Sequence, residues 1–184
     1  MEGRTKQPAM PLMQSRNLWF EPLTAAHADE LFSILVTPSV LAFIDSPASL
    51  PSRADLREEY ANRARGPVDL ANERWFNVAV RLKTLSAPAI GRLEATGYGE
   101  WGEVAYMFGE AWWGKGLAFE AMLWWHDYLA TAAPQTVWWA TVHPANDRSI
   151  RLLHRLGYEE MEFSQSPNLR SYDVGDRCFV RSAP

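Results

Sequence analysis

The stretch from Glu103 to Ala118 limits most strongly what this chain can fold into. Val104 to Phe108 is an apolar run between Gly102 and Gly109 and reads as a strand. Gly114 and Gly116 bracket Lys115, and a strongly apolar helical stretch begins directly after them. Strand, glycine turn and helix start form a layout that aims several backbone N–H groups at one anion. Glycine lets the backbone approach closely, and the helix end adds unpaired donors and partial positive charge. The stretch therefore predicts a site for a phosphorylated cofactor.

Two phosphate motifs come near it and both fail. Gly109 to Lys115 satisfies G-x-x-x-x-G-K, but the following position must be Ser or Thr to hold Mg²⁺, and here it is Gly116. The dinucleotide pattern G-x-G-x-x-G breaks at Phe119. Taken alone, the residues also fit a plain strand–turn–helix connection.

At 184 residues the chain suits one domain. Residues 1–14 carry Arg4 and Lys6 without an apolar core and are expected to be a flexible N-terminal tail, with 15–184 a single domain. A net charge of −4 argues against a nucleic-acid partner. One cysteine, Cys178, rules out an internal disulfide and a cysteine zinc cluster, and fits a reducing, cytoplasmic setting. The four histidines are scattered, so no metal is expected. No apolar run approaches the ~20 residues needed to cross a bilayer, so no membrane partner is expected.

In chain order, Asn17 to Glu21 reads as a strand closed by Pro22, and Thr24 as the N-cap of a helix carrying Leu31, Ile34 and Leu35 on one face. Pro38, Pro47 and Pro51 break the next region. Ser52 precedes a polar helix whose apolar contacts are Leu56, Tyr60 and Ala64, its charges forming a solvated face. This proline-broken pair of helices suits a lid over a substrate or simple packing. Trp75–Val80 and Ala89–Ala95 read as strands that lead by short turns into 104–108, and so as antiparallel neighbours. The helix over 116–130 is apolar nearly all round, with Glu120, Asp127 and Thr131 as its polar stripe and His126 beside it, and should be buried on a sheet. After it Thr136–Val142 should lie parallel to 104–108. Asn146 is an N-cap, Ile150, Leu153 and Leu156 form an apolar face, and Gly157 ends that helix. Residues 158–163 and 177–181 form a closing hairpin.

This order, together with two motifs, resembles the GNAT acyltransferase superfamily. Glu103-Val-Ala-Tyr106-Met-Phe with Trp113-Gly-Lys-Gly-Leu-Ala118-Phe-Glu120-Ala, followed by Asn146-x-x-Ser149, Leu153 and Gly157-Tyr158, is similar to the Rim-type branch that acetylates N-termini of ribosomal proteins. The resemblance implies an α+β, three-layer fold with a mixed, mostly antiparallel sheet of about seven strands and about four helices. It implies acetyl-CoA as cofactor and a primary amine, either a peptide N-terminus or a small molecule, as acceptor, and it leaves room for a homodimer. It implies further that the backbone of Trp113, Gly114, Lys115, Gly116, Leu117 and Ala118 cradles the pyrophosphate. Met107 and Phe108 would pair with the pantetheine arm, and Asn146 and Ser149 would lie near its end.

Acetyl transfer to an amine sets the remaining requirements. An α-amine, pKa ~8, or a lysine, ~10.4, must lose a proton before attack, which needs a base. Glu103, His143 and Glu94 are the candidates, in that order, each with an ordinary alternative as a surface or paired side chain. A strand N–H near Phe108 could hold the oxyanion. The tyrosine acid common in the superfamily is replaced by Leu153, as is usual in the Rim-type branch, so Ser149 is the candidate donor to the leaving thiolate. Lys115, Arg148 and Arg151 could meet phosphates, and Phe43, Trp75 and Trp101 could line an acceptor pocket. A non-catalytic acyl-CoA-binding module and a tryptophan-rich interaction protein are the alternatives.

Overall fold

The computed structural model describes residues 13–44, 50–68, 72–84, 87–134 and 136–181. Its elements are β1 (Met13–Gln14), β2 (Leu18–Pro22), α1 (His27–Leu35), α2 (Pro38–Leu41), α3 (Arg53–Arg65), β3 (Arg74–Leu82), β4 (Ala89–Gly97), β5 (Trp101–Phe108), α4 (Leu117–Ala132), β6 (Val137–Val142), α5 (Asp147–Arg155), β7 (Glu159–Met161) and β8 (Arg177–Arg181). The eight strands form one sheet in the order β1-β2-β3-β4-β5-β6-β8-β7. Every neighbouring pair is antiparallel except β5 and β6. This is the expected mixed α+β architecture with one strand and one helix more.

Both additions have local causes. Met13 and Gln14, expected in the tail, pair with Phe20 and Trp19, and the turn between is closed by Ser15 N–H on the Leu18 carbonyl at 2.9 Å. Pro38 does not break a helix but opens one: its fixed φ suits the first helical position, and Thr37 Oγ1 accepts the Val40 N–H. Pro47 lies outside the described residues. Thr24 is not the N-cap of α1. The cap position is Ala26, and Thr24 instead bonds the His27 ring through its N–H and hydroxyl, each at 3.0 Å from Nδ1.

The two faces of the sheet bury different layers. On one, α4 and α5 press Met122, Trp125, Leu129, Ile150 and Leu153 onto Phe20, Val78, Leu93, Val104 and Phe108. The near-continuous apolar surface of α4 is explained by this burial, worth about 1.5–3 kcal/mol for a side chain such as Leu129 or Met122. On the other face, α1 and α3 cover Ala79 and Ala89 with Leu31, Leu35, Leu56 and Tyr60. Two layers of helix around one sheet leave little room for a ligand unless the sheet itself opens.

It does open, between β5 and β6. Their parallel pairing covers only Trp101–Glu103 against Val137–Trp139. Beyond this point β5 stays with β4 as far as Phe108, and β6 stays with β8 as far as Val142. The strands splay, so the facing backbone edges from Val104 and from Ala140 onward have no ladder partner in each other.

Candidate active site

A cavity of about 680 Å³ fills the splay and reaches both faces of the sheet. Toward α4 and α5 it is lined by Trp113, Gly114, Gly116, Ala118, Asn146 and Ser149. Toward α2 and α3 it is lined by Val40, Phe43, Arg92, Glu94, His143 and Asp173. Tyr106, Met107 and Phe108 of β5 form the wall between the two.

The first half is built for an anion. Gly114 and Gly116 both sit at positive φ, +71° and +75°, with open space where a Cβ would be. Gly116 is the N-cap of α4 and offers no side chain to the first-turn N–H groups. A left-handed glycine pair bares the donors of the turn and of the helix end together. Trp113 braces this turn: its Nε1–H donates to the Phe108 carbonyl at 2.7 Å, and the Arg148 guanidinium lies 3.7 Å from its ring centroid. Arg155 is held in the same way over Phe119 at 4.3 Å. Arg148, Arg151 and Arg155 all face the cavity from α5, where Asn146 Oδ1 accepts the Ser149 N–H at 3.2 Å. Backbone donors and basic side chains thus converge on one end, which fits the phosphates of coenzyme A. Of the residues expected to meet that cofactor, Met107, Phe108, Trp113, Gly114, Gly116, Ala118, Asn146 and Ser149 border the cavity, whereas Lys115 and Leu117 do not.

The second half is acidic at its mouth and ionic at its floor. Glu94 meets both Arg63 Nη1 and Arg92 Nη1 at 3.0 Å, and Glu59 meets Arg92 at 3.0 Å and Arg63 at 2.8 Å. Burial pushes the Glu59 carboxyl up, but Arg92 and Arg63 outweigh it and hold the group below the ordinary range. The charged face of α3, expected to be solvated, is therefore turned in part onto β4. Arg92 also lies over the Tyr60 ring at 5.2 Å. Phe43, Val40 and Ile44 give an apolar wall, while Asp173 and Asp176 face the opening.

The three base candidates end in different surroundings. Glu103 is buried and does not line the cavity. Its carboxylate accepts the N–H groups of Arg170 (3.2 Å) and Ser171 (2.9 Å) and the Ser171 hydroxyl (2.6 Å). The side chain expected first as base is thus spent on fastening the 166–176 loop. His143 lines the cavity 5.5 Å from the Phe43 ring, yet its Nδ1 already accepts the Ala145 N–H at 3.2 Å. Glu94 lines the cavity, with its carboxylate held between Arg63 and Arg92. Phe43 reaches the cavity; Trp101 packs on Tyr98, and Trp75 Nε1 bonds Glu73 at 2.9 Å.

Sequence reasoning missed the Arg63–Arg92–Glu59 frame around Glu94 and the role of the 166–176 loop. Alternation along β4 places Arg92 and Glu94 on one face, a usable signal. Nothing local signals that Ser171 and Asp173 return to the same cleft. Among the described residues no group of three or more potential metal-ligating side chains occurs, and no helix is long and apolar enough to cross a membrane.

A sheet splayed around a glycine-led helix end, with a second chamber behind it, suits group transfer from a phosphorylated carrier. The family described as Acetyltransferase (GNAT) domain matches residues 17–159, and the chain belongs to that family. Comparison with curated proteins gives no match. Among solved structures, an inferred ribosomal-protein-serine acetyltransferase from Vibrio cholerae shares 15% identity at a TM-score of 0.73, over 96% of this chain and 99% of its own. The GNAT-family acetyltransferase from Bacillus anthracis shares 15% at 0.72, over 94% and 99%. The microcin C7 self-immunity acetyltransferase MccE, solved with acetyl-CoA and AMP, shares 13% at 0.71, over 91% and 93%.

Proposed function

We propose that the protein transfers an acetyl group from acetyl-CoA to a primary amine, a peptide N-terminus or a small-molecule amine. The observation that carries this reading is the β5–β6 splay, which joins an anion-binding end to an acidic acceptor end through the sheet. Acetyl-CoA would supply an activated thioester. The backbone of 113–118 and Arg148 would hold its phosphates, and the free edges of β5 and β6 would border its pantetheine arm. MccE was solved with acetyl-CoA and AMP, and the Vibrio cholerae protein is named as a ribosomal-protein-serine acetyltransferase; both agree with this assignment.

Asp173 and Asp176 draw an ammonium into the second half of the cavity. Glu94 takes the proton the amine must lose, directly or through one water, and Phe43 and Ile44 shield the site from bulk solvent. An unpaired strand N–H of β5 stabilises the oxyanion.

Calorimetry with acetyl-CoA and thiol release with a panel of amines test the reading. Binding and turnover are expected, with Glu94→Gln lowering kcat by about 100-fold while acetyl-CoA affinity holds. An absence of acetyl-CoA binding by the wild-type chain would overturn it; binding without turnover by any amine would favour a non-catalytic acyl-CoA module.

A further inference from the structure

The superfamily's acid position on α5 is Leu153, which is wholly buried and apolar. A different hydroxyl reaches α5 one turn earlier. Tyr106 stands on β5 three residues past Glu103, the last residue of that strand paired with β6, and its side chain lines the cavity. Its Oη lies 3.5 Å from the carbonyl of Ser149, in the first turn of α5. That distance is at the outer limit of a hydrogen bond, so its donor capacity is barely used.

The other tyrosines near the site differ in this respect. Tyr158 is bonded to His126 Nε2 at 3.2 Å behind α4, and Tyr60 lies beneath Arg92; neither lines the cavity. Among the described lining residues Tyr106 is the only tyrosine, and Ser149 stands beside it. A phenol is a much stronger acid than an aliphatic alcohol, which favours Tyr106 over Ser149 as donor. Burial pushes the Tyr106 hydroxyl up to about 12, against a smaller opposing effect of its contact with Ser149, so at neutral pH it carries its proton.

We infer that Tyr106 Oη delivers the proton to the departing sulfur, a β5 tyrosine doing from the strand what Leu153 cannot do from the helix. The inference rests on the acetyl-CoA reading. As the amine nitrogen bonds to the acetyl carbon and the carbon–sulfur bond breaks, sulfur keeps the bonding pair and takes the phenol proton. The phenolate recovers a proton from those the amine sheds to Glu94 and solvent. Ser149 Oγ is a neighbour that orients the sulfur.

The test needs no acceptor. Coenzyme A is bound to wild type, Tyr106→Phe and Ser149→Ala, and its thiol is titrated by the ultraviolet absorbance of the thiolate. A donor aimed at sulfur favours the thiolate, so Tyr106→Phe should lower the acid dissociation constant of the bound thiol about tenfold. Ser149→Ala should change it less, and both variants should bind acetyl-CoA within about threefold of wild type by calorimetry. An unchanged thiol in Tyr106→Phe, or a change confined to Ser149→Ala, would overturn the inference and leave the acetyl-CoA reading intact. Failure of the wild-type chain to bind coenzyme A would remove both.

Discussion

The N-termini of α3 and α4 meet the same physical problem and solve it in opposite ways. At α3, Ser52 Oγ accepts the Asp55 N–H at 3.2 Å and the Asp55 carboxylate accepts the Ser52 N–H at 2.7 Å. This reciprocal box satisfies the helix from within. At α4, the cap is a left-handed glycine with no side chain to offer, and the turn faces a cavity. The sequence can close a helix end where only stability is at stake. Where it leaves one open, with arginines nearby, the missing acceptor is expected from a ligand.

Closing the open end should have the largest effect. Gly116→Val puts a β-branched side chain at φ +75° and fills the turn, and acetyl-CoA binding should weaken by at least ~100-fold, about 3 kcal/mol, in calorimetry. Retained affinity would break the contrast between the two helices.

The next effect separates loss of the site from loss of the fold in acid. Burial, with Arg181 adding to it, pushes His126 down to about 3. The unfolded chain takes up this proton below ~6.5 and the folded one does not, so stability should fall as pH drops from about 6.5 toward 3. The slope is at most ~1.4 kcal/mol per pH unit, or about 2 kcal/mol by pH 5. His126→Gln should flatten that dependence in denaturant melts while leaving acetyl-CoA binding at pH 7 unchanged. Smaller still, Trp113→Phe keeps a ring for Arg148 but loses the bond to Phe108, and should weaken acetyl-CoA about fivefold, ~1 kcal/mol. Ser52→Ala should lower stability by about 1 kcal/mol and leave affinity untouched, as the closed cap serves the fold alone.

The open turn was legible because its cause is local: two glycines, a lysine and an apolar helix need only their own spacing. The Asn146 cap and the parallel placement of β6 were legible for the same reason, since one follows from residue type and the other from the crossover through α4. Thr37-Pro38 carried an equally local signal, a cap followed by proline at the first helical position, but was read as a break. The loop contacts of Glu103 were not legible, because strand position says which way a side chain points, not which distant loop will meet it. Its partners lie at 170–171, 67 and 68 residues later. Tyr106 was visible within its motif, yet its reach to Ser149 depends on how α5 docks against β5. Glu94, ranked third, meets Arg63 and Arg92, which arrive on separate elements.

The fastening of the 166–176 loop carries one more consequence. Glu103 and Thr141 hold it at Arg170 and Ser171, with Thr141 Oγ1 donating to the Ser171 carbonyl at 2.8 Å, and Leu169 is buried. A few residues later Val174 stands wholly in solvent between Asp173 and Asp176. Anchor and tip are thus decoupled: the tip can be exchanged, lengthened or recharged without disturbing the rivet beneath it. Under the proposed reading, selectivity among acceptors becomes a property that drift or directed evolution can rewrite in a handful of positions, on a scaffold that need not be rebuilt.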